Sequence, residues 1–359
     1  MEKLRHCCAL LGVATVSFGA SVAYFTGRGH AADPSAGRPV PLQPAAASTQ
    51  LASLRVTTAK HVAKPTKKKK KVVAKKKPVV LASHIGASPS LYEHTTSVRA
   101  LRRQGCAAGR ARINGLVVLD FGKPEFRASR GGYGTVTFAD HFASNTAVTW
   151  AVQSYALGYQ RCVPKNSNAH ITLARGTSNY GISVPSAYAA GRLWAQATVA
   201  IDRYLRLHHL DRVTAAAAID AEPAWDRGFT RTYNFFRGYA HANHRKLLYN
   251  YGSLDGGAGA IWTVRQAYYV SGGMRDARAV PEIYNRAMAK EWAELARETM
   301  RRYGQPIKLA GLMTQHWTSC SRCGYTARKA KSVLKDELVR ARVANVMPTR
   351  ELEAVTNIR

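Results

Sequence analysis

The chain has 359 residues and a formal net charge of +32 at pH 7. About 260 residues beyond position 98 are enough for one sizeable hydrophobic core, which is the usual size of a single barrel domain. Residues 33–98 are rich in Ala, Pro, Ser, Thr and Lys and poor in bulky apolar residues, which excludes a second folded domain there and predicts a disordered linker.

The first 32 residues have the pattern of an export signal. Lys3 and Arg5 precede an apolar run over residues 7–25, and small residues follow near position 29. An uncleaved membrane anchor formed by residues 7–25 is the alternative, because about 19 apolar residues nearly reach the length of a membrane span. The sequence therefore predicts a secreted or cell-wall-associated protein.

Within the linker, residues 60–77 contain ten lysines and no acidic residue. Such a segment binds polyanions through charge alone, so we expect anionic wall polymers or lipid head groups as partners and no specific nucleic acid. A self-repelling spacer without a partner is the alternative. Without these lysines the remaining chain still carries +22, so the folded part is cationic too.

Four cysteines follow the signal, and an even number in an exported protein predicts disulfides, most simply Cys106 with Cys162 and Cys320 with Cys323. A zinc site on His316 and the last two cysteines would lack a fourth ligand at suitable spacing, so no metal and no cofactor is predicted. A redox role for the Cys-x-x-Cys pair is a further alternative.

Apolar runs alternate with segments of helical periodicity from residue 113 onward. This alternation calls for parallel strands with right-handed crossovers. We expect an α/β fold of the TIM-type (β/α) barrel class over residues 99–359, irregular, with seven or eight strands, and we keep an open doubly wound sheet as the alternative. The expected strands are 113–121, 170–174, 213–220, 246–251, 267–270, 307–314 and 354–358, and the expected helices are 142–159, 185–207, 230–242, 281–303 and 327–343.

The run at residues 213–219 reads as a buried strand that ends in two carboxylates. Because side chains alternate along a strand, Asp220 and Glu222 point the same way, with α-carbons about 6.6 Å apart. Burial and mutual repulsion would separate their pKa values, as acid–base work on a glycosidic bond requires. The alternative is a strand end whose carboxylates are salt-bridged to arginines.

Other strand exits hold acids, amides and aromatic residues, which suit a carbohydrate site because sugars offer both hydroxyl groups and apolar ring faces. The residues predicted to bind substrate are Arg175, Asn179, Tyr180, Trp225, Asn250, Tyr251, Asp255, Tyr268, Gln315 and Trp317.

Short motifs over residues 113–275 resemble the glycoside hydrolase family 25 muramidases and related glycoside-hydrolase-like barrels of exported bacterial proteins. The motifs are Leu119-Asp120, the Asp220-Ala221-Glu222 triplet about a hundred residues later, and Leu248-Tyr249-Asn250-Tyr251. The resemblance implies that Glu222 is the general acid, that Asp220 assists as an electrostatic partner or stabilises the nucleophile, and that Asp120 orients the substrate. The sequence after Asp120 and the Pro223 that follows Glu222 depart from the family pattern.

The sequence thus predicts a monomeric exported hydrolase that acts on peptidoglycan or another wall glycan. A non-catalytic barrel, held at the wall by its lysine-rich segment, is the competing interpretation.

Overall fold

The computed structural model describes residues 87–182, 184–321, 323–343 and 354–359. The predicted export signal and the lysine-rich segment at residues 60–77 lie outside the described residues.

Eleven β-strands are present in the described residues. In chain order they are β1 Ser88–Tyr92, β2 Gly115–Asp120, β3 Lys123–Arg127, β4 Gly132–Val136, β5 Phe142–Ser144, β6 Ile171–Ser178, β7 Val213–Asp220, β8 Leu248–Asn250, β9 Ala277–Ala279, β10 Gly311–Gln315 and β11 Ala354–Ile358.

Eight of these strands form one sheet in the order β10-β11-β1-β2-β6-β7-β8-β9, and every pairing between neighbours is parallel. The two edges of this sheet meet through parallel bridges from Ala279 to Leu309 and from Glu282 to Met313. The predicted (β/α) barrel is confirmed, with eight strands, and the open doubly wound sheet is wrong.

Seven helices occur in the described residues: α1 Val98–Arg110, α2 Asn145–Cys162, α3 Ala187–Leu207, α4 Thr230–Ala242, α5 Val264–Tyr268, α6 Arg286–Tyr303 and α7 Ala327–Arg340. Several begin where a side-chain oxygen accepts the hydrogen bond of an otherwise unpaired backbone N–H. Ser97, Ser144, Ser186, Asn285 and Thr326 each do this.

Successive side chains of the barrel strands point alternately to a core inside the barrel and to a core between the barrel and the helices. On β2, Leu116 and Val118 belong to the cluster inside the barrel, whereas Val117 and Leu119 pack outward against the helices. By the same alternation, Asp120 at the end of β2 faces the barrel interior. We call the end of the barrel at which the strands finish the barrel mouth. Because of this alternation, the last inward-facing side chain of each strand lies at the mouth.

The strand β1 lies in the segment that was predicted to be linker, so the predicted domain boundary at residue 99 is too late. Hydrogen bonds of the serine side chains hold residues 88–90 in the barrel, so this strand forms without the apolar pattern that would have predicted it. Ser90 Oγ accepts from the Val118 N–H at 2.8 Å and lies 2.6 Å from Thr356 Oγ1. Both hydroxyl-bearing residues are fully buried.

Two further expectations about secondary structure are wrong. Residues 267–270 are not a strand: they span the end of α5 and the start of a π-helical turn, Tyr269–Gly273, and the barrel strand there is β9. The helix expected over 281–303 begins only at Arg286, because residues before Asn285 extend along β10.

The segment between β2 and α2 contains a small antiparallel sheet, β3-β4-β5, that was not predicted. Phe142 therefore belongs to a strand, and the expected helix 142–159 starts at Asn145.

Both predicted disulfides are present. Cys106 is bonded to Cys162, which ties the end of α2 to α1, and Cys320 is bonded to Cys323 in the loop after β10. The cysteines of the alternative zinc site are therefore bonded to each other. Among the described residues, no helix is both long and apolar enough to cross a membrane.

Candidate active site

The mouth of the barrel gathers carboxylates from three of its strands. Asp120 ends β2, Asp220 ends β7 with Glu222 two residues on, and Glu282 follows β9. We call these four residues the mouth cluster. Asp120, Asp220 and Glu282 are buried, and Glu222 is half-buried, so Glu222 is the most accessible member.

The Asp-x-Glu motif keeps its predicted alternation. The backbone at Glu222 is extended, with φ −112° and ψ 138°, and a short 3₁₀ turn begins at the next residue, Pro223. Asp220 and Glu222 therefore face the same side, while the intervening Ala221 packs into the outer core.

Two buried amides fix the backbone of this motif. Asn179 accepts from the Glu222 N–H at 3.0 Å and donates to the Glu222 carbonyl at 2.9 Å. Asn250 accepts from the N–H groups of Ala221 and Gly252, at 3.3 and 3.2 Å. Both amides were predicted to bind substrate, and the structure instead places them behind the motif, where they position Glu222.

The mouth cluster has no salt-bridge partner in the described part of the chain. Among the described residues, none of its four carboxylates forms a salt bridge. One carboxylate oxygen of Asp220 is buried and has no hydrogen-bond partner within the residues that the structure describes. Carboxylates locked against arginines, the structural alternative for this motif, are therefore not what the described residues show.

Because these carboxyl groups are buried and have no positively charged neighbour among the described residues, their pKa values rise and they bind protons more tightly. Burial, and then the charges of Glu222 and Glu282, raise the pKa of Asp220 well above its usual range. Burial and the neighbouring charge of Asp255 raise the pKa of Glu222 to about 7, although hydrogen bonds from Ser253 oppose the change. Near neutral pH, Glu222 can therefore serve as a proton donor.

Asp120 is the least exposed member of the mouth cluster. Burial raises its pKa to about 7, against the effect of a hydrogen bond from the Gly122 N–H at 2.8 Å. A hydrogen bond from the Tyr251 hydroxyl also favours its charged form. Tyr251 is itself buried, and its hydroxyl oxygen also lies 3.2 Å from the Thr177 carbonyl oxygen, so this predicted substrate-binding residue supports Asp120 instead.

Glu282 was missed by the sequence analysis because Pro281 and Glu282 were assigned to the start of a helix. Burial and then the charge of Glu222 raise its pKa well above the usual range, and the Tyr284 hydroxyl donates a hydrogen bond to it. Residues 277–280 read Ala-Arg-Ala-Val, an alternation of apolar and charged residues that is too short to indicate a strand exit by itself.

Glu93 was also missed, since β1 was not predicted. It follows β1 on the side that packs against α1, where Gln104 donates to it at 3.4 Å. Burial raises its pKa to about 7, and the charge of Asp120 contributes in the same direction.

The rim of the mouth carries predicted substrate-binding residues. The rings of Tyr180 and Trp225 meet edge to face at 5.5 Å, and the Lys123 ammonium lies 5.7 Å from the Tyr180 ring centre. More than half of the Tyr180 surface is exposed, at 54 %. Asp255 accepts from the Ala224 N–H at 2.7 Å and from the Ser253 hydroxyl at 2.6 Å, which holds the turn after Glu222.

The loop after β10 supplies the opposite rim. Gln315, at the end of β10, donates to the Tyr92 hydroxyl at 3.0 Å. Trp317 is 72 % exposed and lies beside the His316 ring, with 5.6 Å between ring centres. Gln315 and Trp317 are thus at the end of the barrel where they were predicted.

Two predicted substrate-binding residues lie elsewhere. Arg175 is fully buried between the barrel sheet and the surrounding helices, with its guanidinium 3.6 Å from the centre of the Trp194 ring. It lies there because β6 continues to Ser178, and side-chain alternation places Arg175 on the helix-facing side of the strand. Tyr268 stacks on Tyr303 at 5.0 Å. Tyr303 ends α6, just before β10 begins, so this pair lies at the end of the barrel opposite the mouth.

The fold and site define the protein as an eight-stranded (β/α) barrel with an acidic, aromatic-rimmed mouth. No protein-family model matches the chain, and no curated protein sequence matches it. One similar solved structure is the endo-1,4-beta-mannanase from Rhizomucor miehei, with a TM-score of 0.38 and 8% sequence identity over 76% of this chain and 85% of that chain.

Proposed function

We propose that this protein is an exported glycoside hydrolase that acts on a cell-wall or other extracellular glycan, with Glu222 as its general acid. The observation that carries the proposal is the mouth cluster: four carboxylates at the open end of a closed barrel, without a salt-bridge partner among the described residues. Active sites of such barrels lie at this end.

The roles follow from accessibility and charge. Glu222 is the most accessible member and holds a proton near neutral pH, so it can protonate the oxygen of the leaving sugar. The buried Asp220, with one oxygen unpaired among the described residues, faces the same space, and in its ionised form it can stabilise positive charge that develops on the sugar ring. Asp120 lies beside them and orients the substrate. Glu282 supplies a further carboxylate at the same site.

The rim suits a sugar chain. Tyr180 and Trp225 meet edge to face and leave aromatic surface for the apolar face of a sugar ring. Trp317 offers a second exposed ring after β10. Aromatic groups on both sides of the carboxylates would hold a polysaccharide across the mouth.

Export and wall attachment belong to the same proposal. Residues 1–32 would direct export or anchor the protein, and the lysines at 60–77 would bind anionic wall polymers or lipid head groups. The two disulfides support this, because such bonds persist in oxidising compartments. Membership of glycoside hydrolase family 25, with peptidoglycan as substrate, is the specific form of the proposal.

The test is incubation of the purified protein with peptidoglycan, scored by release of reducing sugar. Glu222→Gln keeps the shape of the side chain but removes the ionisable proton, so activity should fall by about 10²–10⁴-fold. The matched control is Glu294→Gln on α6, whose carboxylate lies 3.7 Å from Lys290 and is 47% exposed. This control should retain full activity.

Thermal unfolding separates the two interpretations of the barrel. Because Glu222 forms no ion pair in the described residues, Glu222→Gln should melt no lower than the wild type. A wild-type protein that releases no sugar from any wall preparation, together with a Glu222→Gln variant that melts well below it, would favour the non-catalytic wall-associated barrel.

A further inference from the structure

A groove on the outer face of the barrel lies between α1 and α2, away from the mouth cluster. Its volume is about 460 Å³, and its floor includes the Cys106–Cys162 disulfide, Leu157 and Gly158. Arg99, Arg102 and Arg103 from α1 and Arg161 from α2 line its sides. We call this feature the arginine groove.

Close contact between the two helices shapes the groove. A Cβ on Gly158 would lie 2.1 Å from the Arg102 carbonyl oxygen, and one on Gly105 would lie 2.0 Å from the Tyr155 carbonyl oxygen. Only glycine fits at these contacts, so the helix backbones touch. Together with the disulfide between the helices, this contact makes the groove a preformed feature that needs no rearrangement to accept a ligand.

The charge of the groove is uncompensated. Neither α1 nor α2 contains an Asp or a Glu. The four arginines are exposed, and none of them has a salt-bridge or side-chain hydrogen-bond partner among the described residues. Other helices differ, because Arg301 and Arg302 on α6 both pair with Glu298.

Like charges three and four positions apart on one helix repel each other, and Arg99, Arg102 and Arg103 have this spacing. An anionic partner would relieve the repulsion. Arginine also favours phosphate in particular, because its planar guanidinium can donate two parallel hydrogen bonds to one phosphate group.

The shape indicates a linear partner. Arg99 and Arg103 are one helical turn apart, about 6 Å along the axis, so successive arginines can meet successive charges of one chain. The aliphatic and sulfur surface of the floor suits the carbon atoms between those charges. None of the lining residues, all within the described part of the chain, is aromatic, so the groove offers no ring on which nucleic-acid bases could stack.

From these observations we infer that the arginine groove binds a phosphodiester-linked polyol chain. The site is separate from the barrel mouth, so the inference does not depend on hydrolase activity.

The test is fluorescence anisotropy with a labelled synthetic glycerol-phosphate oligomer and the full chain, including its lysine-rich segment. In one variant, Arg99, Arg102, Arg103 and Arg161 are all changed to Gln. In the matched control, four other arginines are changed to Gln: Arg192, Arg203, Arg297 and Arg328. These are exposed, lie on helices outside the groove, and have no side-chain hydrogen bond or salt bridge among the described residues.

Both variants remove the same charge and keep the lysine-rich segment, so any difference between them reports the groove. We expect the groove variant to bind the oligomer at least about tenfold more weakly than the control, with circular dichroism unchanged. An equal loss in both variants would overturn the inference, because it would show attraction by overall charge alone.

Two further probes identify the kind of polyanion. Vesicles of phosphatidylglycerol and a single-stranded DNA oligomer of equal charge should show a smaller difference between the groove variant and the control. If the vesicles show the larger difference, the groove is a membrane contact and the inference is wrong. A larger difference for DNA would likewise replace the polyol chain with nucleic acid.

Discussion

The mouth cluster and the arginine groove are two regions with opposite charge imbalances. Over the described ranges of the chain, the carboxylates at the mouth form no salt bridge with a base, and the arginines of the groove form none with an acid. The mouth is buried, so its groups reduce the imbalance by holding protons, and their pKa values rise. The groove is exposed, so water and salt screen the charges of its arginines. Burial therefore decides whether an unpaired charge becomes a proton donor or a binding surface.

The largest effect that we expect is on the free energy of unfolding, when the disulfide at the floor of the arginine groove is removed. The Cys106–Cys162 disulfide closes a loop with a sequence separation of 56, whereas Cys320–Cys323 closes one of only 3. Loop-closure entropy predicts that removing the first bond lowers the free energy of unfolding by about 4 kcal/mol, and removing the second by about 2 kcal/mol.

Urea unfolding of the Cys106→Ala/Cys162→Ala and Cys320→Ala/Cys323→Ala double variants checks this order. The reverse order would show that the loop after β10, which forms the mouth rim, depends more on its disulfide than the helix pair does.

The next effect is pH-dependent stability at the mouth. The pKa of Glu222 rises from 4.5 to about 7 on folding. Since the folded state binds this proton more tightly, the stabilisation is complete below pH 4.5 and is lost as pH rises through about 7. The shift corresponds to on the order of 3 kcal/mol.

Urea unfolding of wild type and Glu222→Gln between these pH values measures the effect. Wild type should lose stability relative to the variant as pH rises. A relative gain would mean that Glu222 is stabilised as a carboxylate, which would contradict the proton-holding site.

The mouth was predictable from sequence where a strand was long enough to show its periodicity. Residues 215–219 of the eight-residue strand β7 form an apolar run that predicted a strand, so the common direction of Asp220 and Glu222 followed from the alternation of side chains along it. The three residues of β9 show no period, so Glu282 was assigned to a helix start. The acids predicted at the ends of longer strands therefore lie at the mouth, whereas the acid after the short strand β9 was not predicted.

Arg175 and β1 show two other limits. A strand exit was predicted at residue 174, but β6 continues for four more residues, and alternation places Arg175 on its outer face. In β1, buried hydroxyl groups satisfy each other instead of packing apolar surface, so the composition looks like linker. The local pattern of apolar and polar residues does not show where a strand ends, and it does not show that polar side chains of two distant strands bind each other.

A smaller effect tests the support behind the mouth. Asn179→Ala removes the amide that brackets the Glu222 backbone and also donates to Thr232 Oγ1 at 3.0 Å. The buried groups left without partners should cost about 2 kcal/mol of stability. If the amide positions Glu222, glycan hydrolysis should fall as well.

The matched control is Asn243→Ala. Asn243 is also buried and donates to Asp276 at 2.9 Å, but it follows α4 and lies before β8 begins, at the opposite end of the barrel. It should lose stability without losing activity per folded molecule. Equal activity losses in both variants would assign Asn179 a purely structural role.

The smallest effect sharpens the comparison from the side of the groove. Each pair of arginines three or four positions apart on α1 should destabilise the helix by roughly 0.2–0.5 kcal/mol at low salt. At about 1 M salt the screening length falls to roughly 3 Å, so the repulsion should vanish.

Wild type should therefore gain up to about 1 kcal/mol from salt, summed over these pairs. The variant with glutamine at all four groove positions should gain less, measured by urea unfolding at both salt concentrations. Equal gains in the two proteins would mean that the arginines do not repel one another. The repulsion that we expect within the groove would then be absent, and a phosphate chain would have none to relieve.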